Sequence, residues 1–176
     1  MEPRPVVPDS TPLIVLGKLE HVGLLVKLNG TVIVTPGVWE EAVTQGKAIG
    51  ARDAAYLEKI ARENRFDRAR LTERETKLVQ RLRAEAGIGL EEAEVLAFAR
   101  SRSGLAVLDD KAARALAVGL GIVHTGTAGL LFEAFLRRFL TYQELVVLMQ
   151  ELGKVAWISP ELLAGILRRA GEMEYK

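Results

Sequence analysis

The chain has 176 residues, with 24 Lys and Arg against 23 Asp and Glu, and its formal net charge is +1. This length is typical of one domain, and 49% hydrophobic residues are enough to build a core. The sequence has no cysteine and only two histidines, His21 and His124, which excludes thiol catalysis, disulfide scaffolds and cysteine-based metal centres. With a near-neutral charge, any binding of nucleic acid must depend on a local patch.

Membrane and targeting signals are not found in the sequence. Gly, Lys or Glu interrupts the apolar stretches before they reach the ~18–20 residues that span a bilayer. The first five residues, Met1 to Pro5, lack the apolar region of a signal peptide. We therefore expect a cytoplasmic protein that does not contact membranes.

Short β-branched runs alternate with helical patterns over the first two thirds of the chain. Continuous apolar runs are typical of parallel strands that are buried on both faces. Strands are predicted at residues 6–7, 31–35, 105–108 and 122–123. Helices are predicted from Ser10 or Thr11 onward and over residues 21–28, 38–64, 71–86, 91–102 and 111–118. Thr72 and Glu75 form a capping box, and Gly46 and Gly50 mark a break in the third helix.

This alternation predicts a helix-rich α/β fold. We expect a three-layer α/β/α sandwich with a central, mainly parallel, Rossmann-like sheet. Residues 1–176 form one domain in this interpretation, with a helical extension over about residues 140–176. Residues 155–158 fit either a late edge strand or a buried connector.

Acidic residues follow three of the predicted strands. Asp9 comes after the first strand, Glu40 and Glu41 follow the second, and Asp109 and Asp110 follow the third. The carboxyl ends of parallel strands share one edge of a sheet, where ligands gather. Carboxylates that lie close together repel each other unless a cation neutralises them. An oxygen-only ligand set matches Mg²⁺ or Mn²⁺.

Three further acids, Glu91, Glu92 and Glu94, open the helix that precedes the third strand. Residues three, four and seven positions after Glu92 are all apolar, which predicts that Glu92 points inward and that Glu94 is a supporting or alternate ligand. Each acid also has a structural interpretation. Asp9 and one of the pair Asp109 and Asp110 can cap helices, and Glu40 or Glu41 can interact with a helix dipole.

Five segments in this order resemble the PIN-domain family, in particular the VapC-like toxin ribonucleases. The first segment begins at Val7, and the resemblance extends into the C-terminal tail, so that it covers nearly the whole chain. The matching stretches are residues 7–14, 36–41, 92–97, 108–114 and 125–130. No single stretch is specific, and the series as a whole carries the resemblance.

The resemblance implies a Mg²⁺- or Mn²⁺-dependent endoribonuclease that cleaves RNA phosphodiester bonds. Carried over by position, the catalytic residues are Asp9, Glu41, Glu92 and Asp110, of which Asp9, Glu92 and Asp110 bind the metal. The supporting residues are Ser10, Glu94, Asp109, Thr125 and Thr127. Two basic residues near this edge, Lys111 and Arg114, are weaker candidates for RNA contacts.

The same resemblance implies two protein partners. One is a small antitoxin, as in a VapBC-type toxin–antitoxin pair, and the other is a second copy of the chain. Apolar residues such as Leu24, Leu25 and Trp39 are candidates for a homodimer surface, although they can equally fill the core of the monomer. The alternative function is a catalytically inert PIN-fold module that assembles with a protein or RNA partner.

Overall fold

A computed structural model describes residues 4–64, 66–156 and 158–174 of the chain. These residues form short parallel strands and many helices. In chain order the first half contains β1 (Val6–Pro8), α1 (Ser10–Lys18), α2 (Gly23–Asn29), β2 (Ile33–Val34), α3 (Pro36–Trp39), a π-helical turn (Glu40–Gln45), α4 (Gly46–Ala48), α5 (Arg52–Glu63) and β3 (Asp67–Arg68). The second half contains α6 (Glu73–Ala86), α7 (Leu90–Ser101), β4 (Leu105–Val107), α8 (Lys111–Gly119), β5 (His124–Thr125), α9 (Thr127–Leu136), α10 (Tyr142–Val155) and α11 (Pro160–Glu174).

The strands all pair in parallel, in the order β3-β2-β1-β4-β5. β1 pairs with β4 and β4 pairs with β5, while β2 pairs with β3. A parallel bridge between Val6 and Val32 joins the two groups. The chain moves outward from β1 to β2 and β3, and then returns to add β4 on the other side of β1. This reversal of strand order lies between β1 and β4, and in open α/β folds it creates a crevice at the carboxyl ends of those strands.

The helices pack in two groups around this sheet. α7 packs directly on β1 and β4, with α6 along it and α8 at its side. The other group includes α1, α2, α9, α10 and α11, which contact one another. Buried aliphatic side chains such as Val7, Leu96 and Leu108 fill the interior. The predicted α/β class with a parallel sheet and a majority of helix is therefore confirmed.

Local sequence signals explain several element boundaries. Thr72 and Glu75 form the predicted capping box at the start of α6. Gly50 has a φ of 73° and separates α4 from α5, in agreement with the predicted break. The helix before it begins earlier than predicted, because Thr35 caps α3 and Pro36 occupies its first position.

Three predicted details differ from the structure. The last strand lies at His124–Thr125 and not at residues 122–123, because the buried Ile122 still donates its N–H to Ala117 O at the end of α8. β3 was not predicted, since both of its residues are polar and exposed. In the ambiguous stretch 155–158, Val155 ends α10 and Ala156 is an extended cap, whereas Trp157 lies outside the described residues.

Leu24 and Leu25 are 4% and 0% exposed. They belong to the core of the monomer and therefore cannot supply the homodimer surface suggested above. Trp39 is half-buried, and the guanidinium of Arg68 lies 4.2 Å from the centre of its ring. In the described part of the chain, no helix is both long enough and apolar enough to cross a membrane.

Candidate functional site

Asp9 lies at the carboxyl end of β1, beside the point where the strand order reverses. Its N–H donates to Val107 O at 3.0 Å, which fixes its backbone against the end of β4. Asp9 occupies the N-cap position of α1, but its side chain makes no capping hydrogen bond. The interpretation of Asp9 as an ordinary helix cap is therefore wrong.

The carboxyl group of Asp9 is in an unusual environment. The residue is 4% exposed, and its Oδ1 is buried without a hydrogen-bond partner. Burial raises the pKa of Asp9 to about 7, the carboxylates of Glu92, Glu41 and Glu91 add to this rise, and the N–H of Ser10 opposes it. A buried, unpartnered oxygen among other carboxylates is a position that favours a cation.

Glu92 and Glu91 reach this edge from the first turn of α7. Both are half-buried, and both are close enough to influence the titration of Asp9. Glu41 reaches it from the π-helical turn and is exposed. The structure therefore places Glu41 and Glu92 near Asp9, and it adds Glu91, for which the sequence predicted no role.

Glu94, and not Glu92, is the most deeply buried acid of α7. It is 3% exposed, and its Oε2 accepts the N–H of Gly37 at 2.7 Å. The apolar residues after Glu92 do not discriminate between the two glutamates, because α7 is buried on all sides from Ala93 to Ala99. Glu94 is the more buried of the two, whereas Glu92 is the one that acts on Asp9. Glu94 instead ties α7 to the start of α3.

Asp109 and Asp110 have different partners. The Oδ1 of Asp110 accepts the N–H of Ala113 at 2.8 Å, so this exposed side chain caps α8. The two oxygens of the half-buried Asp109 accept the N–H of Thr127 at 2.8 Å and its hydroxyl at 2.6 Å. Asp110 is therefore a helix cap, and Asp109 is the more buried aspartate of the pair, whereas the sequence predicted that Asp110 is the inward residue and Asp109 its support.

Of the other candidate residues, some contact the acids of the site and others do not. Thr127 holds Asp109, as a supporting residue would, whereas the hydroxyl of Thr125 donates to Gly126 O, at 3.4 Å. Ser10 is buried, and its N–H acts on Asp9 as described above. Lys111 is exposed at the start of α8. Arg114 is half-buried and lines a cavity of about 370 Å³ together with Asp109, Thr127 and residues of α10 and α11.

The donor set at this edge suits a hard divalent cation. It consists of carboxylate and hydroxyl oxygens, while both histidines use Nδ1 in contacts to backbone carbonyls within two residues. The unpartnered Oδ1 of Asp9 is the feature that fits such an ion best. Among the described residues, however, no three His, Asp or Glu side chains form a group that could hold a metal as they stand. The expected convergence of Asp9, Glu41, Glu92 and Asp110 on one point is therefore not found.

Comparison with known families agrees with this arrangement. A family model described as a PIN domain matches residues 5–172, nearly the whole chain. The chain therefore belongs to the PIN domain family, which supports a nuclease function in general. No curated protein and no solved structure matches the chain.

Proposed function

We propose that this protein is a divalent-metal-dependent endoribonuclease that cleaves RNA phosphodiester bonds. The observation that carries the proposal is the buried and unpartnered carboxyl of Asp9, surrounded by other acids at the carboxyl end of β1. Asp9, Glu92 and Asp109 are the residues proposed to hold Mg²⁺ or Mn²⁺. Asp109 takes the place given to Asp110 by the sequence, because Asp110 caps α8.

The chain's own residues have separate tasks in this mechanism. Thr127 fixes both oxygens of Asp109, which orients that carboxylate without a further ionised partner. Glu41 is exposed and outside the hydrogen-bond network, so it is the acid best placed to orient a water molecule and accept its proton. Arg114 beside Asp109 offers a guanidinium to a substrate phosphate. A divalent ion at this edge supplies positive charge to the phosphoryl oxygens and makes water a better nucleophile.

The test is cleavage of a labelled single-stranded RNA with Mg²⁺ and with excess EDTA. We expect cleavage that EDTA abolishes and that Asp9→Asn lacks, whereas Asp67→Asn, an exposed residue at the start of β3, cleaves like the parent. A second measurement does not depend on activity. Mg²⁺ should raise the melting temperature of the parent at pH 8 and leave Asp9→Asn nearly unchanged, since a ligand stabilises only the state that binds it.

Cleavage that persists in Asp9→Asn would place the activity elsewhere. If the parent neither cleaves RNA nor responds to Mg²⁺, the alternative of an inert PIN-fold interaction module is the better interpretation.

We further propose that the protein is the toxin of a VapBC-type pair and works as a homodimer. The ordered series of motifs shared with VapC-like toxins supports this proposal. Induced expression should arrest bacterial growth, Asp9→Asn should not, and co-expression of a small protein encoded by the adjacent gene should restore growth. If the parent protein cleaves RNA but cells grow normally when it is induced, the nuclease function stands and the toxin role is rejected.

A further inference from the structure

A second charged surface lies at the side of the α6–α7 pair. A groove of about 360 Å³ is lined by four cationic side chains and one leucine. We call it the α6 groove, and its residues are Arg74, Lys77, Leu78, Arg81 and Arg100. All four cations are exposed, and no acidic residue lines the groove.

The helical positions explain this concentration of charge. Arg74, Lys77 and Arg81 are three and four residues apart, so they lie on one face of α6. The neighbouring face of α6 packs on α7 through buried Val79 and Leu82. Arg100 comes from the last turn of α7, and it adds a fourth cation at the side of the groove.

In the described part of the chain, these four side chains have no acidic partner within salt-bridge distance. The nearby buried Glu75 is engaged by Thr72, by the hydroxyl of Ser101 and by Arg102, a cation outside the groove. In the regions that the structure describes, none of the groove's four cations forms a salt bridge. A chain of net charge +1 therefore gathers four cations without salt bridges among the described residues in one groove.

The direction of the groove relates it to the acidic edge. The contact between Glu75 in the first turn of α6 and Ser101 at the end of α7 shows that the two helices are antiparallel. The C-terminal end of α6 therefore lies toward the start of α7, where Glu91 and Glu92 are found. Arg74 to Arg81 spans ~10 Å along the helix axis and runs toward that end.

We propose that the α6 groove binds the phosphate backbone of single-stranded RNA at a distance from the cleavage site. This inference rests on the proposed ribonuclease function and deepens it, because it assigns a surface that holds the same substrate. Three of the four cations are arginines, whose planar guanidinium groups bind phosphates by paired hydrogen bonds. Contacts to phosphates position the RNA on the protein and carry no sequence information.

The test measures the affinity for a labelled oligouridylate as a function of salt concentration. The parent and the triple variant Arg74→Gln, Lys77→Gln, Arg81→Gln are compared, both carrying Asp9→Asn so that the RNA stays intact. For single strands the slope of log affinity against log salt is about −0.7 for each phosphate contact, so losing three contacts should reduce its magnitude by ~2.

A matched control removes three exposed cations outside the groove, Lys18, Arg52 and Arg168. The control should keep the slope of the parent. Equal slopes in the parent and the groove variant would overturn the proposal, and so would an equal loss in the groove variant and the control. A competition experiment separates RNA from an acidic protein as the ligand of the groove. The protein is bound to a heparin resin and eluted with oligouridylate or with polyglutamate. If polyglutamate elutes the parent but not the groove variant, and oligouridylate elutes neither, the groove is a protein-binding surface and the proposal is wrong.

Cleavage kinetics with Asp9 intact separate the groove from the active site. The groove variant should raise KM for a long RNA and leave kcat unchanged, since its residues hold the substrate and do not take part in the chemistry. A fall in kcat at unchanged KM would contradict the proposal. A parent that binds oligouridylate through the groove but cleaves no RNA would instead reject the nuclease function alone.

Discussion

At the scale of single residues, Asp9 lowers the stability of the protein at the pH where it would be functional. Its pKa of about 7 in the folded chain lies above the ordinary value of 3.8. The folded state therefore holds the proton more tightly than the unfolded chain does. The resulting stability is complete below about pH 3.8 and is lost as the pH rises through about 7.

Asp9→Asn should therefore melt at a higher temperature than the parent at pH 8 in the absence of divalent ions. One pKa unit corresponds to ~1.4 kcal/mol, which gives an upper limit of roughly 4 kcal/mol for the gain. The difference should shrink toward pH 4, where the carboxyl is protonated in the folded parent and close to its ordinary pKa of 3.8 in the unfolded chain. Thermal melts at the two pH values check this, and an asparagine variant less stable than the parent at pH 8 would contradict it.

The adjacent aspartates 109 and 110 give a second test at this scale. Asp109→Asn should reduce RNA cleavage by more than ~100-fold, because it removes the charge that Thr127 orients. Asp110→Asn should keep cleavage, and its free energy of unfolding should stay within ~0.5 kcal/mol of that of the parent, since asparagine is itself a good N-cap. Initial rates and melting curves of both variants decide this. If Asp110→Asn is inactive and Asp109→Asn still cleaves RNA, Asp110 and not Asp109 is the metal ligand.

At the scale of elements, the hydrogen bond from Gly37 to Glu94 joins the start of α3 to α7. A Cβ atom at position 37 would lie 3.0 Å from Glu94 Oε2, closer than ordinary van der Waals contact. A side chain at this position therefore requires the Glu94 carboxylate to shift by a few tenths of an ångström, and the hydrogen bond from the N–H of Gly37 opposes that shift.

Gly37→Ala should destabilise the protein by about 1–3 kcal/mol, the usual effect of forcing a methyl group into a packed site. Gly23→Ala, at the first position of α2, meets nothing within 4 Å and is the matched control. The control should be neutral or gain up to about 1 kcal/mol, since alanine restricts the unfolded chain. Urea titrations of both variants measure the difference, and equal stabilities would show that α3 can move away from Glu94.

The elements also show which features the sequence can predict. β1 and β4 were predicted because their residues are continuously apolar, and both lie in the centre of the sheet. β3 was missed because a polar pair at the edge of a sheet gives no hydrophobic signal. Its pairing depends on the backbone of β2, which a local pattern does not contain.

For the site, the sequence predicts the edge of the sheet but not the partners of the individual acids. Strand ends placed Asp9 at the correct edge, since a residue after a buried parallel strand must emerge there. The partners of Asp109 and Asp110 depend on backbone angles at the start of α8, and two identical adjacent side chains give no signal to separate them. The burial of Glu94 depends on α6 and α3 covering both sides of α7, which only the tertiary structure shows.

At the scale of the whole molecule, the remaining exposed apolar side chains bear on the predicted homodimer. Leu136 and Met173 line one groove between α9 and α11, and Phe139 is exposed just after α9. Large exposed apolar groups that lie together mark interaction surfaces more often than isolated ones do.

We expect light scattering at micromolar concentration to give the mass of a dimer, twice 19.3 kDa. Met173→Asp should shift the protein to monomer, because a carboxylate is costly to bury in an apolar contact. Ile49→Asp is the control, since Ile49 is 84% exposed and lies far along the chain from this surface. A monomeric parent, or a dimer that Met173→Asp leaves intact, would contradict this arrangement.

The π-helical turn at Glu40–Gln45 has a consequence for how this site changes in evolution. A π-helical turn holds one residue more than the α-helical turn it replaces. Each residue of an α-helix rotates the chain by ~100°, so loss of one codon here would turn Glu41 relative to α4 by about that angle. The N-terminal side of the turn is tied to α7 through Gly37, and its other side packs on α5. A single insertion or deletion can therefore exchange the acid that faces Asp9 while every neighbouring codon stays the same.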